Sequence, residues 1–113
     1  MSQITTHILD TAKGTPAIDV TICLSRRVGN HWEEIGSGQT NTDGRIPDLC
    51  PADQVLEAGS YCMDFAIGDY FESSGAPVFY PEARVVFNIE GNGQHYHIPL
   101  LLSPYGYSTY RGS

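Results

Sequence analysis

Short runs of alternating apolar and polar residues, broken every ten residues or so by Gly, Pro, Asn or Asp, restrict this chain to β structure. In Ile4-Thr5-Thr6-His7-Ile8-Leu9, Ile4, Thr6 and Ile8 fall on one face and Thr5 and His7 on the other. That is the period of a half-buried strand. Gly14-Thr15-Pro16 breaks the run. Val20, Ile22 and Leu24 mark the buried side of a second strand, with Thr21, Cys23 and Ser25 opposite. A turn at Gly29-Asn30 leads to a third strand from Trp32 to about Gly38. Asn41-Thr42-Asp43-Gly44 is a strong turn signal, and Arg45 is the first residue out of it. Tyr61, Met63, Phe65 and Ile67 alternate after Gly59, and Asp69–Ser74 is the one segment with helical character. Arg84–Ile89 and His95–Leu102 flank Gly91-Asn92-Gly93 and predict a hairpin. A last strand follows Ser103-Pro104. Roughly seven or eight such strands describe an all-β sandwich. With 113 residues, no linker and no internal repeat, the chain reads as one domain spanning residues 1–113.

Composition narrows the partners. The formal net charge is −7, with six cations among which Lys13 is the one lysine. Such a surface repels phosphate backbones and anionic lipid, so neither nucleic acid nor membrane is expected as a partner. The longest apolar run is too short to span a bilayer. The opening MSQITTHILD lacks the basic start and apolar stretch of a secretory signal. Cys23, Cys50 and Cys62 are an odd count without framework spacing and read as reduced thiols, so a cytoplasmic location is expected.

Polar residues on faces that a sandwich core does not claim are the candidates for chemistry. His7 points away from Ile4 and Ile8. His95 and His97 share a strand face, opposite Tyr96, Ile98 and Leu100. Arg45 leaves a turn that would hold its backbone firmly. Two converging imidazoles can move a proton to or from water near neutrality, and a guanidinium offers planar donors to a carbonyl or an anionic heterocycle. Each has a plainer reading as a solvated surface residue. His7, His95 and His97 could also ligate zinc. Glu33-Glu34 reads as solvated charge. No phosphate loop, serine elbow or dinucleotide fingerprint is present. The ending SPYGYSTYRGS is rich in tyrosine where chain ends are usually polar and frayed.

The stretches THILDTAKGTPA, TDGR, AGSYCMDFAIGDYF, FYPE before ARVVF, and HYHIPLLLSPYGYSTYRGS together resemble the 5-hydroxyisourate hydrolase family, the transthyretin-related enzymes of purine breakdown. The likeness runs from about residue 4 to residue 113, and YRGS is its most specific element. It implies a transthyretin-like sandwich of two four-stranded sheets with one short helix. It also implies a homotetramer whose subunits build a channel holding the active sites. His7, Arg45 and His97 would be catalytic, with Tyr110, Arg111, Gly112 and Ser113 forming pocket wall. His95 matches no catalytic position and is taken as a supporting residue. The implied reaction is hydrolysis of a small-molecule substrate, 5-hydroxyisourate, with no metal and no organic cofactor. A carrier of small aromatic ligands and a zinc hydrolase are the competing readings.

Overall fold

The computed structural model describes residues 2–50 and 54–113. In chain order the elements are β1 (Ile4–Asp10), β2 (Thr15–Pro16), β3 (Thr21–Val28), β4 (His31–Gln39), β5 (Gly59–Phe65), α1 (Ile67–Ser73), β6 (Ala83–Ile89), β7 (Tyr96–Ser103) and β8 (Gly106–Thr109). They form two four-stranded sheets, ordered β2-β1-β7-β8 and β4-β3-β5-β6. The all-β sandwich expected from the alternation, and the two four-stranded sheets with one short helix implied by the family resemblance, are the fold observed.

The core lies between the sheets and is built from the residues that the two-residue period places inward. Ile4 and Ile8 of β1 and Leu100 and Leu102 of β7 are buried in the same cluster as Ile22, Leu24, Met63 and Phe65 from β3 and β5. Fully burying each such side chain contributes roughly 1.5–3 kcal/mol. α1 adds Ile67 and Phe71 to that cluster. Asp10, buried at the end of β1, is satisfied on both oxygens. Oδ1 accepts the backbone N–H groups of Ala12 and Lys13 at 3.0 and 3.1 Å, and Oδ2 accepts the Tyr70 hydroxyl at 2.6 Å. This ties the end of β1 to the helix. No helix among the described residues is long and apolar enough to cross a membrane.

Three local expectations are corrected. Gly91-Asn92-Gly93 does not close a hairpin, because β6 and β7 belong to different sheets. A glycine turn allows the chain to reverse but does not decide which sheet the next strand joins. Here the Tyr96 hydroxyl accepts the Glu90 N–H at 2.9 Å and closes the crossing loop. Ile67 is buried as its alternation required, but it opens α1 and does not extend β5. Thr15–Pro16 is not merely a break, since it folds back to pair with Leu9 and Asp10.

Most relevant to function is a single parallel pairing. β1 and β7 run side by side from Ile4↔Tyr96 to Asp10↔Leu102. The turn before Arg45 then docks on β1, with the Ile8 N–H donating to the Gly44 carbonyl at 2.9 Å. Gly44 has φ 72°, and a Cβ there would sit 2.6 Å from the Ile8 carbonyl oxygen. Gly44→Ala is therefore expected to destabilise the fold by about 2 kcal/mol, read as a lower urea midpoint with an unchanged slope. A midpoint equal to wild type would show that the turn carries no such constraint.

Candidate active site

The residues singled out in the sequence come from four separate stretches. The β1–β7 register sets Thr5 opposite His97 and His7 opposite Pro99. Because side chains alternate across a strand, Thr5, His7, His95, His97 and Pro99 share the outer face of this sheet. Arg45 is delivered by its turn. The Asn41 side-chain oxygen accepts the N–H groups of Asp43 and Arg45 at 2.9 and 3.1 Å, and the Asn41 N–H donates to the Arg45 carbonyl at 2.8 Å. An isolated β-bridge between His7 and Arg45 then fastens the turn to β1. The tail arrives by a second isolated bridge, in which the Gly112 N–H donates to the His97 carbonyl at 2.8 Å. Gly112 lies so close to the imidazole that a Cβ would approach His97 Cδ2 to 2.6 Å.

Together these form a cleft of about 640 Å³, with Thr5, Arg45, His95, His97 and Ser113 in its wall and Ile46, Pro47 and Asp48 beside them. That volume suits a small heterocycle with room for water. His7 is not part of this lining but is bridged to Arg45. Tyr110 and Arg111 lie apart from it. They line a separate cleft of about 250 Å³ with Val86, Phe87 and Tyr96. There the Arg111 guanidinium sits 4.8 Å over the Tyr96 ring and donates to the Gln94 side-chain oxygen at 2.7 Å. Within one chain, then, the tail divides. Gly112 and Ser113 accompany His97, while Tyr110 and Arg111 turn to another face.

Both imidazoles beside Arg45 are held below the ordinary histidine pKa. For His97 the causes are partial burial first, then the Arg45 guanidinium, then His95 and His7. For His7 they are partial burial and then Arg45, partly offset by a backbone hydrogen bond at Asp43. Each ring is therefore neutral near pH 7 and able to accept a proton. Linkage has a definite sign here. With the folded pKa depressed, stability is full above the unfolded imidazole value and declines as pH falls through the folded one. Among the described residues no carboxylate lies within ion-pair distance of Arg45, which lines the cleft.

Sequence reasoning missed Thr5 as part of the constellation. Its Oγ1 lies 2.8 Å from His97 Nδ1 and 3.0 Å from His95 Nε2. The available signal was its placement on the same strand face as His7. Among the described residues no group of three or more His, Cys, Asp or Glu side chains is arranged to hold a metal ion.

A family model, the HIUase/Transthyretin family, matches residues 4–112. The chain belongs to this family. It is 44% identical to the 5-hydroxyisourate hydrolase of Ralstonia nicotianae over 117 aligned positions, covering 100% of both chains. The structure of Klebsiella pneumoniae 5-hydroxyisourate hydrolase superposes with a TM-score of 0.85 at 42% identity, covering 99% of this chain and 100% of that one. Sea bream transthyretin, solved in complex with thyroxine, superposes with a TM-score of 0.92 at 34% identity, covering 98% and 95%. Backbone likeness runs higher to the transthyretin and sequence likeness higher to the hydrolases. The fold is common to both, so the side chains of the cleft have to separate them.

Replacing Arg45 with Gln removes a cation that opposes imidazolium formation at both rings. The pKa values of His7 and His97 should then rise towards the ordinary value, as read from histidine ring proton shifts across a pH titration. Unmoved titrations would show that Arg45 does not act electrostatically on these rings.

Proposed function

We propose that this chain hydrolyses 5-hydroxyisourate, opening the six-membered ring to give 2-oxo-4-hydroxy-4-carboxy-5-ureidoimidazoline. The observation that supports it most is the pair of imidazoles, His7 and His97, both with lowered pKa beside the Arg45 guanidinium, with His97 and Arg45 lining one cleft. Ring opening of a cyclic amide-like carbonyl needs a base for water, donors for the developing oxyanion and an acid for the leaving nitrogen. The names borne by the curated relatives fit the same chemistry.

In this mechanism a neutral imidazole accepts a proton from water as the water oxygen bonds to the ring carbonyl carbon. Arg45 donates to the oxygen on which negative charge develops. The carbon–nitrogen bond then breaks, and an imidazole N–H returns a proton to the departing nitrogen. His97, which lines the cleft, and His7 beside Arg45 share these transfers, each proton taken from water being matched by one given to the departing nitrogen. Ser113 and Gly112 hold the edge of the substrate. Tyr110 and Arg111 face their own cleft, and in this reading they reach substrate only across a subunit contact. Tyr110 is 58% and Val86 56% exposed in the single chain. Such apolar exposure fits the homotetramer included in the proposal. Three unpaired cysteines fit a reducing, cytoplasmic setting.

A carrier of small aromatic ligands is the second reading, and the transthyretin superposition favours it. It leaves the imidazole–guanidinium group without a task, since carriage needs apolar walls more than proton-transfer groups.

His7→Ala and His97→Ala should each lower turnover of freshly generated 5-hydroxyisourate by ~10²–10⁴-fold, followed by stopped-flow loss of substrate absorbance. Wild-type rates in either variant would refute the assignment. Arg45→Lys keeps the charge but loses the planar fork, and kcat/KM should fall by roughly tenfold or more. An unchanged value would exclude an orienting role for the guanidinium.

A further inference from the structure

Thr5 occupies an unusual position between two histidines. The strand register sets it opposite His97, and its hydroxyl reaches His97 Nδ1 at 2.8 Å and His95 Nε2 at 3.0 Å. The two ring planes are nearly parallel, 15° apart with centroids at 6.5 Å. His95 is exposed, whereas His97 is partly covered. With Nδ1 committed to Thr5, Nε2 is the nitrogen that His97 has left for a ligand in the cleft.

A hydroxyl has one proton to give and two lone pairs to receive. If Thr5 donates to His97 Nδ1, then His95 Nε2 must carry the N–H that donates to Thr5. His97 then presents N–H at Nε2. If Thr5 donates to His95 Nε2, then His97 carries its proton on Nδ1 and presents a bare Nε2. If both rings donate, the hydroxyl proton has neither ring as acceptor. Reversing the hydroxyl therefore converts His97 from acid to base.

We propose that Thr5 and His95 are positioning residues that set the tautomer of His97 and relay its proton to solvent. The inference rests on the hydrolytic reading of the cleft for its catalytic consequence. When His97 Nε2 takes a proton from the attacking water, its Nδ1 proton passes to Thr5 Oγ1. The Thr5 proton passes to His95 Nε2, and His95 releases its Nδ1 proton to bulk water. The sequence run backwards restores the proton for donation at Nε2. One proton enters and one leaves, so no imidazolium accumulates facing Arg45, His7 and His95, all of which oppose its charge. That repulsion is the physical reason for a relay. A base whose charged form is disfavoured gains from passing the proton on.

The test combines ring-nitrogen NMR of histidine-labelled resting protein with kinetics on wild type, Thr5→Val, Thr5→Ser and His95→Asn. Valine keeps the shape and β preference of threonine while removing the hydroxyl, and serine restores the hydroxyl. Thr5→Val should move the His97 Nδ1 and Nε2 shifts towards an averaged tautomer pair and lower kcat by ~10-fold or more with little change in KM. Thr5→Ser should restore both. His95→Asn should lower kcat in dilute buffer and regain rate as imidazole buffer is added, while wild type stays insensitive to buffer. His97 nitrogen shifts and kcat that are unchanged in Thr5→Val would overturn the proposal. So would a His95→Asn enzyme with wild-type, buffer-independent turnover. Wild type that fails to hydrolyse 5-hydroxyisourate would defeat the functional reading instead, and the tautomer coupling would still be decided by the nitrogen shifts of the resting protein.

Discussion

The parallel pairing of β1 with β7 is the contact on which the rest of the molecule depends. It joins residues about ninety positions apart, from Ile4↔Tyr96 to Asp10↔Leu102. Its inward side supplies Ile4, Ile8, Leu100 and Leu102 to the core, and its outward side carries Thr5, His7 and His97. A strand slipped by one residue would exchange those two sets. The apolar cost of exposing the isoleucines thus holds the imidazoles in place, and burial on one face fixes geometry on the other.

Around that pair the chain assembles an uncommon electrostatic setting. The molecule as a whole is anionic, with a formal charge of −7, yet the outer face of this sheet gathers three histidines and an arginine. Partial burial and the guanidinium both push the His7 and His97 pKa values down. The combination keeps two bases uncharged beside a permanent cation. A thyroxine-bound transthyretin and a hydrolase share this backbone, and what differs between such proteins has to be sought in side chains of this kind.

Much of the architecture was legible because burial imposes a period of two. Ile4, Thr6, Ile8, Ile22, Leu24, Met63 and Phe65 all sit where alternation placed them. What alternation cannot convey is which strand lies beside which. Gly91-Asn92-Gly93 predicts a hairpin that does not form, because a glycine turn looks the same whether it returns to one sheet or crosses to another. Ile67 kept its inward direction, but the chain changed from extended to helical at that residue. The same limit hid Thr5. Its hydroxyl matters only because a strand from the far end of the chain puts two ring nitrogens within 3.0 Å, and no local pattern records that. The divided tail is a further case. The Gly112 bridge to His97 turns Ser113 towards the cleft and leaves Tyr110 and Arg111 on another face.

The central claim is that the cleft bounded by Arg45, His97 and Ser113 receives an oxidised purine. A crystal structure of the protein soaked with urate, a stable trioxopurine, tests it most directly. The account predicts a ring carbonyl within hydrogen-bond reach of the Arg45 guanidinium and a ring edge facing His97 Nε2. Urate seated elsewhere, against Tyr110 and Arg111 or on an apolar subunit contact with Arg45 and His97 left free, would contradict it.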